Sequence, residues 1–165
     1  MPRTRRRHDP WNATPGPSRF GRSAARGRRS RPSGWGHHLG DLKTVGEAIR
    51  HVHEAIDGGI TFFDNCWEYF NGRSEDWLGR ALEGKRDKVF LMTKVCTHGR
   101  GKDVALAMLE QSLRRLRTDH LDLWQVHGVG FDNDPNLAYA KGGVVEALDR
   151  AKKDGKAKLV CFTGS

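Results

Sequence analysis

An α/β fold of parallel strands, preceded by a disordered Arg-rich segment, is what three features of this 165-residue chain predict. From residue 43 onward, short apolar runs alternate with longer stretches of helical periodicity. The runs begin near residues 60, 89, 121 and 158, intervals of 29, 32 and 37 residues that suit strand–helix–strand units. Residues 1–35, by contrast, hold ten Arg, a single acid (Asp9) and no Leu, Ile or Val, so burial cannot offset their ordering entropy.

Each element has its own signal. Lys43–Asp57 reads as a helix with Val45, Ala48, Ile49, Val52, Ala55 and Ile56 on one face and Gly58-Gly59 as its stop. Ile60–Phe63 is a short strand. Ser74 is placed to cap a helix carrying Trp77, Leu78, Ala81 and Leu82, which Gly84 ends. Val89–Val95 is the second strand. Asp103–Arg117 is a helix with Val104, Met108, Leu109, Leu113 and Leu116 as its apolar stripe. Leu121–Val126, the helix Val144–Lys153 and the strand Lys158–Phe162 complete the pattern. The strands are apolar on both faces, as in a sheet covered by helices. A doubly wound sheet shares this pattern, but no Gly-rich phosphate fingerprint follows any strand. A partial (β/α)8 TIM barrel over residues 36–165 is therefore the prediction.

The charge is concentrated in one place. Residues 1–35 carry the whole formal charge of +9, and residues 36–165 balance 19 basic against 19 acidic side chains. The excess therefore says nothing about the folded part. No apolar run suits a signal peptide or a membrane helix. Cys66, Cys96 and Cys161 have neither disulfide nor zinc spacing, which points to a reducing cytoplasm. A transit peptide is a weaker reading of 1–35, because without aliphatic residues no amphipathic helix forms. Nucleic-acid binding is weaker too, with only Trp11, Phe20 and Trp35 for stacking.

In a (β/α)8 barrel, residues at the C-terminal strand ends converge on one mouth. Asp64 and Tyr69 follow the first strand here, Lys94 ends the second and His127 ends the third. Taken singly, each has an ordinary structural explanation. Together they form a coherent set. A carbonyl receiving hydride needs a proton donor, and a phenol near pKa 10 releases its proton reluctantly. An ammonium beside it is expected to lower that pKa, and a carboxylate keeps the ammonium charged. An imidazole N–H can orient the carbonyl oxygen. A metal-dependent hydrolase using Asp64, His98 and His127 is a rival, but no strand ends in His-x-His, and no metal is expected.

The stretch GITFFDNCWEYFNGRSEDWLGRAL resembles the first signature of the aldo-keto reductase family, and Thr93-Lys94 and Val126-His127 match two further positions of it. The resemblance runs from about Gly36 to Ser165. It implies Tyr69 as general acid, Lys94 and Asp64 as its tuning pair and His127 as the substrate-orienting residue. It also implies NADPH (NADP) as cofactor and an aldehyde or ketone as the small-molecule substrate. The family often sets a Ser-Asn pair against the nicotinamide, with the strand-end Asp nearby. This chain has Thr163-Gly164, which leaves Asp64 and Thr163 as cofactor-binding candidates. Asn65 and Gln125 lie near the mouth without a clear role. A non-catalytic binding or regulatory module built on the same scaffold is the alternative.

The resemblance also bears on both ends. The family's later strands and its phosphate loop lie beyond Ser165, so the chain is expected to be a truncated barrel, inactive alone. Its first strand has no counterpart in residues 1–35. Read one base out of register, GC-rich codons for the family's Ser-Ala-Leu-Gly-Val-Gly yield the Arg31–Trp35 sequence, and those for Leu-Gly-Arg-Thr-Gly begin with that of Ser23–Arg26. Residues 1–35 therefore look like a frame-shifted translation.

Overall fold

The computed structural model describes residues 39–164. The disorder expected for 1–35 and the boundary at residue 35/36 lie outside them. Eleven elements follow Leu42. Thr44 opens helix α1 (Val45–Asp57) through a capping box: its hydroxyl accepts from Glu47 N, and the Glu47 carboxylate accepts from Thr44 N. The cap explains why the helix starts two residues later than predicted. Ala48, Val52 and Ala55 form its buried stripe, and Gly59 turns the chain at φ 88°.

Strand β1 (Phe62–Asp64) pairs in parallel with β2 (Phe90–Val95), Asp64 lying opposite Met92. Between them come a 3-10 turn (Tyr69–Gly72), helix α2 (Arg73–Ala81) and a second 3-10 turn (Arg86–Lys88). Ser74 is not the cap of α2. Gly72, in the left-handed region at φ 84°, takes that position, and Ser74 is buried inside the helix. Helix α3 (Lys102–Leu116) buries Ala105, Met108, Leu109, Ser112, Leu113 and Leu116. Val104 is 49% exposed, because it lies on the outer side of this stripe rather than in it.

Strand β3 (Leu121–Val129) runs three residues past its predicted end, through a bulge between Val126 and Val129 where Gly128 takes φ 62°. A short helix, α4 (Asp134–Tyr139), was not predicted, since six residues carry little periodicity. Helix α5 (Val144–Lys153) has the predicted bounds, and β4 (Ala157–Gly164) closes the described chain. The strand order is β1-β2-β3-β4, with every pairing parallel.

Register separates the two faces of this sheet. Met92 lies opposite Leu123 and Leu123 opposite Leu159; Lys94 lies opposite Gln125 and Gln125 opposite Cys161. Strand alternation puts Phe63, Leu91, Thr93, Val95, Trp124 and Val126 on the other face, where they are fully buried. Phe62 is 49% and Leu159 54% exposed, because among the described residues the helices pack against one face only. At the N-terminal ends, Asp122 accepts from Arg86 Nη2 (2.8 Å), Leu91 N (2.9 Å) and Lys158 Nζ (2.7 Å), tying β2, β3 and β4 together away from the mouth.

Helices α2 and α3 touch through backbone at Gly79, where an added Cβ would sit 2.2 Å from the Arg115 carbonyl oxygen and 2.8 Å from Leu116 Cα. No flexible side chain can yield there. Gly79→Ala should therefore lower unfolding free energy by about 1–3 kcal/mol, despite the better helix propensity of Ala, as read from urea denaturation. A stabilised variant would show that the two helices separate freely.

Candidate active site

The end of β2 carries an ammonium that is almost out of reach of water. Lys94 is 4% exposed, and its Nζ donates to Asp64 Oδ1 and to the Asn65 carbonyl oxygen (2.9 Å). Both acceptors belong to the end of β1, which the β1–β2 register brings alongside. The chain then doubles back: Asn65 N donates to Met92 O and Trp67 N to Lys94 O, each at 3.1 Å.

This doubling back sets Tyr69 over Lys94, whose Nζ lies 5.3 Å from the phenol ring centroid. The turn is tight. Phe70 and Asn71 have φ 52° and 55°, left-handed values that cost a side-chain-bearing residue free energy. Surrounding contacts hold it. Arg73 stacks on Phe70 and Trp77, and Trp67 Nε1 donates to Gln111 Oε1 (3.0 Å). Arg115 lies over the Trp67 ring, donates to Trp67 O (3.0 Å) and pairs with buried Glu75, which also accepts from Thr93 Oγ1 (2.7 Å). Burial pushes Glu75 upward, and the bonds from Thr93, Ser112 and Arg115 oppose it.

Burial, then the charges of Cys66, Asp64 and Glu68, push the Tyr69 hydroxyl up to about 12. The Lys94 ammonium itself is directed into the Asp64 carboxylate.

His127 enters from β3 at the bulge, a feature that re-aims side chains. Its ring meets Tyr69 edge-on, with centroids 6.3 Å apart. Its Nδ1 is 3.1 Å from Thr163 Oγ1, and that oxygen accepts from Gly128 N (3.0 Å). Its Nε2 is 3.9 Å from Glu68 Oε1. Burial and the Lys94 charge lower its pKa, which favours neutral imidazole. Asp64, Tyr69, Lys94 and His127 thus share one mouth, and Thr163 stands beside His127.

Other candidates fare differently. Gln125 Nε2 is engaged by Cys161 Sγ. Asn65 is fully buried, its Oδ1 accepting from Cys66 N and its Nδ2 lacking a hydrogen-bond partner. The set Asp64, His98 and His127 is not assembled for metal, since Asp64 binds Lys94 and His98 Nδ1 sits by Cys96 Sγ. Three contributors escaped sequence reading. Glu68 precedes Tyr69 on the same loop, a signal that was available. Arg100 and Asp134 had none, because they meet across 34 residues. Arg100 donates to His127 O (3.1 Å) and Gly128 O (3.0 Å), while Asp134 accepts from Arg100 Nε (2.9 Å), Gly130 N and Phe131 N.

The bond from Arg100, with those from Phe131 and Gly130, holds the Asp134 carboxyl at about 2. A depressed folded pKa means that the stabilisation is complete above the unfolded value near 4 and disappears as pH falls through about 2. The stability gap between the parent and Asp134→Asn should accordingly be constant at neutral pH and close between about pH 4 and 2, in urea titrations at stepped pH. A gap independent of pH would remove this pair from the account.

Comparison with known proteins agrees with this geometry. The model of the aldo/keto reductase family matches residues 36–165. Methylglyoxal reductase YeaE of Escherichia coli is 35% identical over 123 residues, 74% of this chain and 40% of the relative. Glyoxal reductase of Bacillus subtilis is 31% identical over 117 residues, 69% of this chain and 39% of the relative. Among solved structures, an aldo-keto reductase from Klebsiella pneumoniae in complex with NADPH superposes with a TM-score of 0.67 at 30% identity, over 76% of this chain and 42% of that one. A holo-form aldo-keto reductase from Bacillus halodurans gives 0.66 at 28% identity, over 76% and 44%. The chain thus spans about two fifths of the length of the curated relatives it matches. With strand-end Asp64, Lys94 and His127 gathered around Tyr69 on a parallel sheet and a family match over residues 36–165, this chain belongs to the aldo/keto reductase family.

Proposed function

We propose that this chain carries the catalytic half of an NADPH-dependent carbonyl reductase, with Tyr69 as the general acid. The observation behind this reading is the single cluster in which Tyr69 lies over Lys94 and edge-on to His127. A reduced nicotinamide, when bound, supplies hydride to the carbonyl carbon. Tyr69 gives its hydroxyl proton to the carbonyl oxygen as charge develops there. Lys94, fixed by Asp64, faces the phenolate that results and favours it electrostatically. Thr163 is nearer to His127 Nδ1 (3.1 Å) than to Val126 O (3.5 Å). Donation from Thr163 to Nδ1 leaves the imidazole proton on Nε2, where it can hydrogen-bond the substrate oxygen.

The residues present fit one end of the cofactor. Asp64 and Thr163 offer an acceptor and a hydroxyl suited to an uncharged carboxamide. The cations nearest the mouth are already committed, Lys94 to Asp64 and Arg100 to Asp134 and two carbonyls. Phosphate binding therefore falls to residues outside this set, and we propose that turnover needs the complementary half of a barrel. The names of two relatives, methylglyoxal reductase and glyoxal reductase, make small dicarbonyls the first substrates to try. The regulatory-module reading has support in another relative, a probable voltage-gated potassium channel subunit beta of rice, 33% identical over 99 residues.

The test uses the chain alone and the chain fused ahead of the C-terminal half of the E. coli relative, each assayed for NADPH consumption with methylglyoxal. Turnover is expected of the fusion only. Tyr69→Phe in the fusion should lower kcat by about 10²–10⁴-fold while NADPH fluorescence still reports binding. Undiminished turnover by Tyr69→Phe would overturn the assignment, and cofactor binding without turnover by the parent fusion would favour the regulatory module.

A further inference from the structure

A second group of ligand atoms collects beside the mouth, outside the Asp64–Lys94–Tyr69–His127 set. Cys96 and His98 lie on the loop leaving β2, with Cys96 Sγ 3.4 Å from His98 Nδ1. One ligand atom each from Cys96, His98 and Glu68 lie within 4.8 Å of one another. Tetrahedral zinc holds thiolate at about 2.3 Å and imidazole at about 2.0 Å, which sets the two ligand atoms roughly 3.5 Å apart. The Cys96–His98 pair therefore already stands at the spacing of two ligands on one ion. A small shift of the Glu68 carboxylate completes the tetrahedral spacing. That side chain is free to move, because it is half-buried and its contacts to Cys66 Sγ and His127 Nε2 are long, 3.8 and 3.9 Å. Met108 Sδ, 3.7 Å from Cys96 Sγ, makes the inner wall soft as well.

We infer that Cys96, His98 and Glu68 form a binding site for a borderline divalent ion of the zinc class, with a fourth position open to water. A thiolate, an imidazole and a carboxylate are the donors such ions prefer, and exposed His98 gives the entry path. A competing set, Cys66, Glu68 and His127, shares Glu68. Each cysteine has one cation near it, Lys94 at Cys66 and Arg100 at Cys96, but the competing set is the poorer one because the Lys94 ammonium acts on the His127 imidazole as well and repels a cation there. An ion at Cys96 draws Glu68 away from His127, so occupancy also alters the mouth. The site stands on these distances and not on the reductase reading, so either can fail alone.

Titration of the full chain with Co2+ under anaerobic conditions tests it, because cobalt bound to thiolate shows a near-ultraviolet charge-transfer band that histidine-only sites lack. The expected result is saturation at one equivalent, with tetrahedral visible bands, and displacement by Zn2+. Cys96→Ser should abolish the charge-transfer band, and Cys66→Ser should leave it. His98→Ala, at an exposed position, should weaken Co2+ binding at least about tenfold, the smallest loss seen when even an outer partner of a metal ligand is removed. A band that survives Cys96→Ser, or an affinity that His98→Ala leaves unchanged, overturns the site.

Discussion

A buried ammonium organises this molecule. Lys94 lies on the sheet face away from the helices, almost wholly out of water, and an unpaired charge there is intolerable. It is tolerated because the β1–β2 register delivers the Asp64 carboxylate and the Asn65 carbonyl to the same atom. Removing one partner of a buried pair costs about 3–5 kcal/mol, since the other charge is left uncompensated. The strand pairing and the site chemistry therefore constrain each other. A one-residue slip between β1 and β2 would exchange the faces and leave Lys94 unpaired.

From that anchor the Tyr69 loop is built by layers of support rather than by preference. Two residues with side chains sit in left-handed conformations, which local preference alone disfavours. Trp67 fixes it to α3 through Gln111 and Arg115, and Arg115 in turn pairs with Glu75 under the sheet. Glu75 is a fully buried carboxylate without a place in the proposed chemistry. Its work is mechanical, because it joins α2, α3 and β2 at the level from which the loop departs.

Local pattern made the repeating elements legible, and long-range contacts account for what it left out. Helix α5 was read to the residue because Gly143 and the Lys152-Lys153 end bound a clean apolar stripe. Asp64, Tyr69, Lys94 and His127 were legible because strand ends in a parallel barrel converge by topology. Ser74 misled because a cap residue and a buried helical serine look alike until Gly72 is seen in the left-handed region. Val104 misled because a stripe's edge cannot be placed without its neighbours. Arg100 and Asp134 could not be seen at all, since each finds its meaning in a partner 34 residues away. The orientation of Lys94 is likewise a matter of long-range contact. Sequence places an ammonium near the phenol, but only coordinates show that the ammonium is turned toward a carboxylate.

The shift at Tyr69 decides how the proposed proton transfer is driven. A hydroxyl near 12 stays protonated throughout the neutral range, so the acid is always loaded and its availability does not limit the rate. Driving force must come from the acceptor. A carbonyl whose carbon has received hydride becomes an alkoxide, a base comparable to hydroxide and far stronger than a phenolate. Transfer from Tyr69 to that oxygen runs downhill by several pKa units, whereas transfer to a ground-state carbonyl does not. The proton therefore moves with or after the hydride rather than before it.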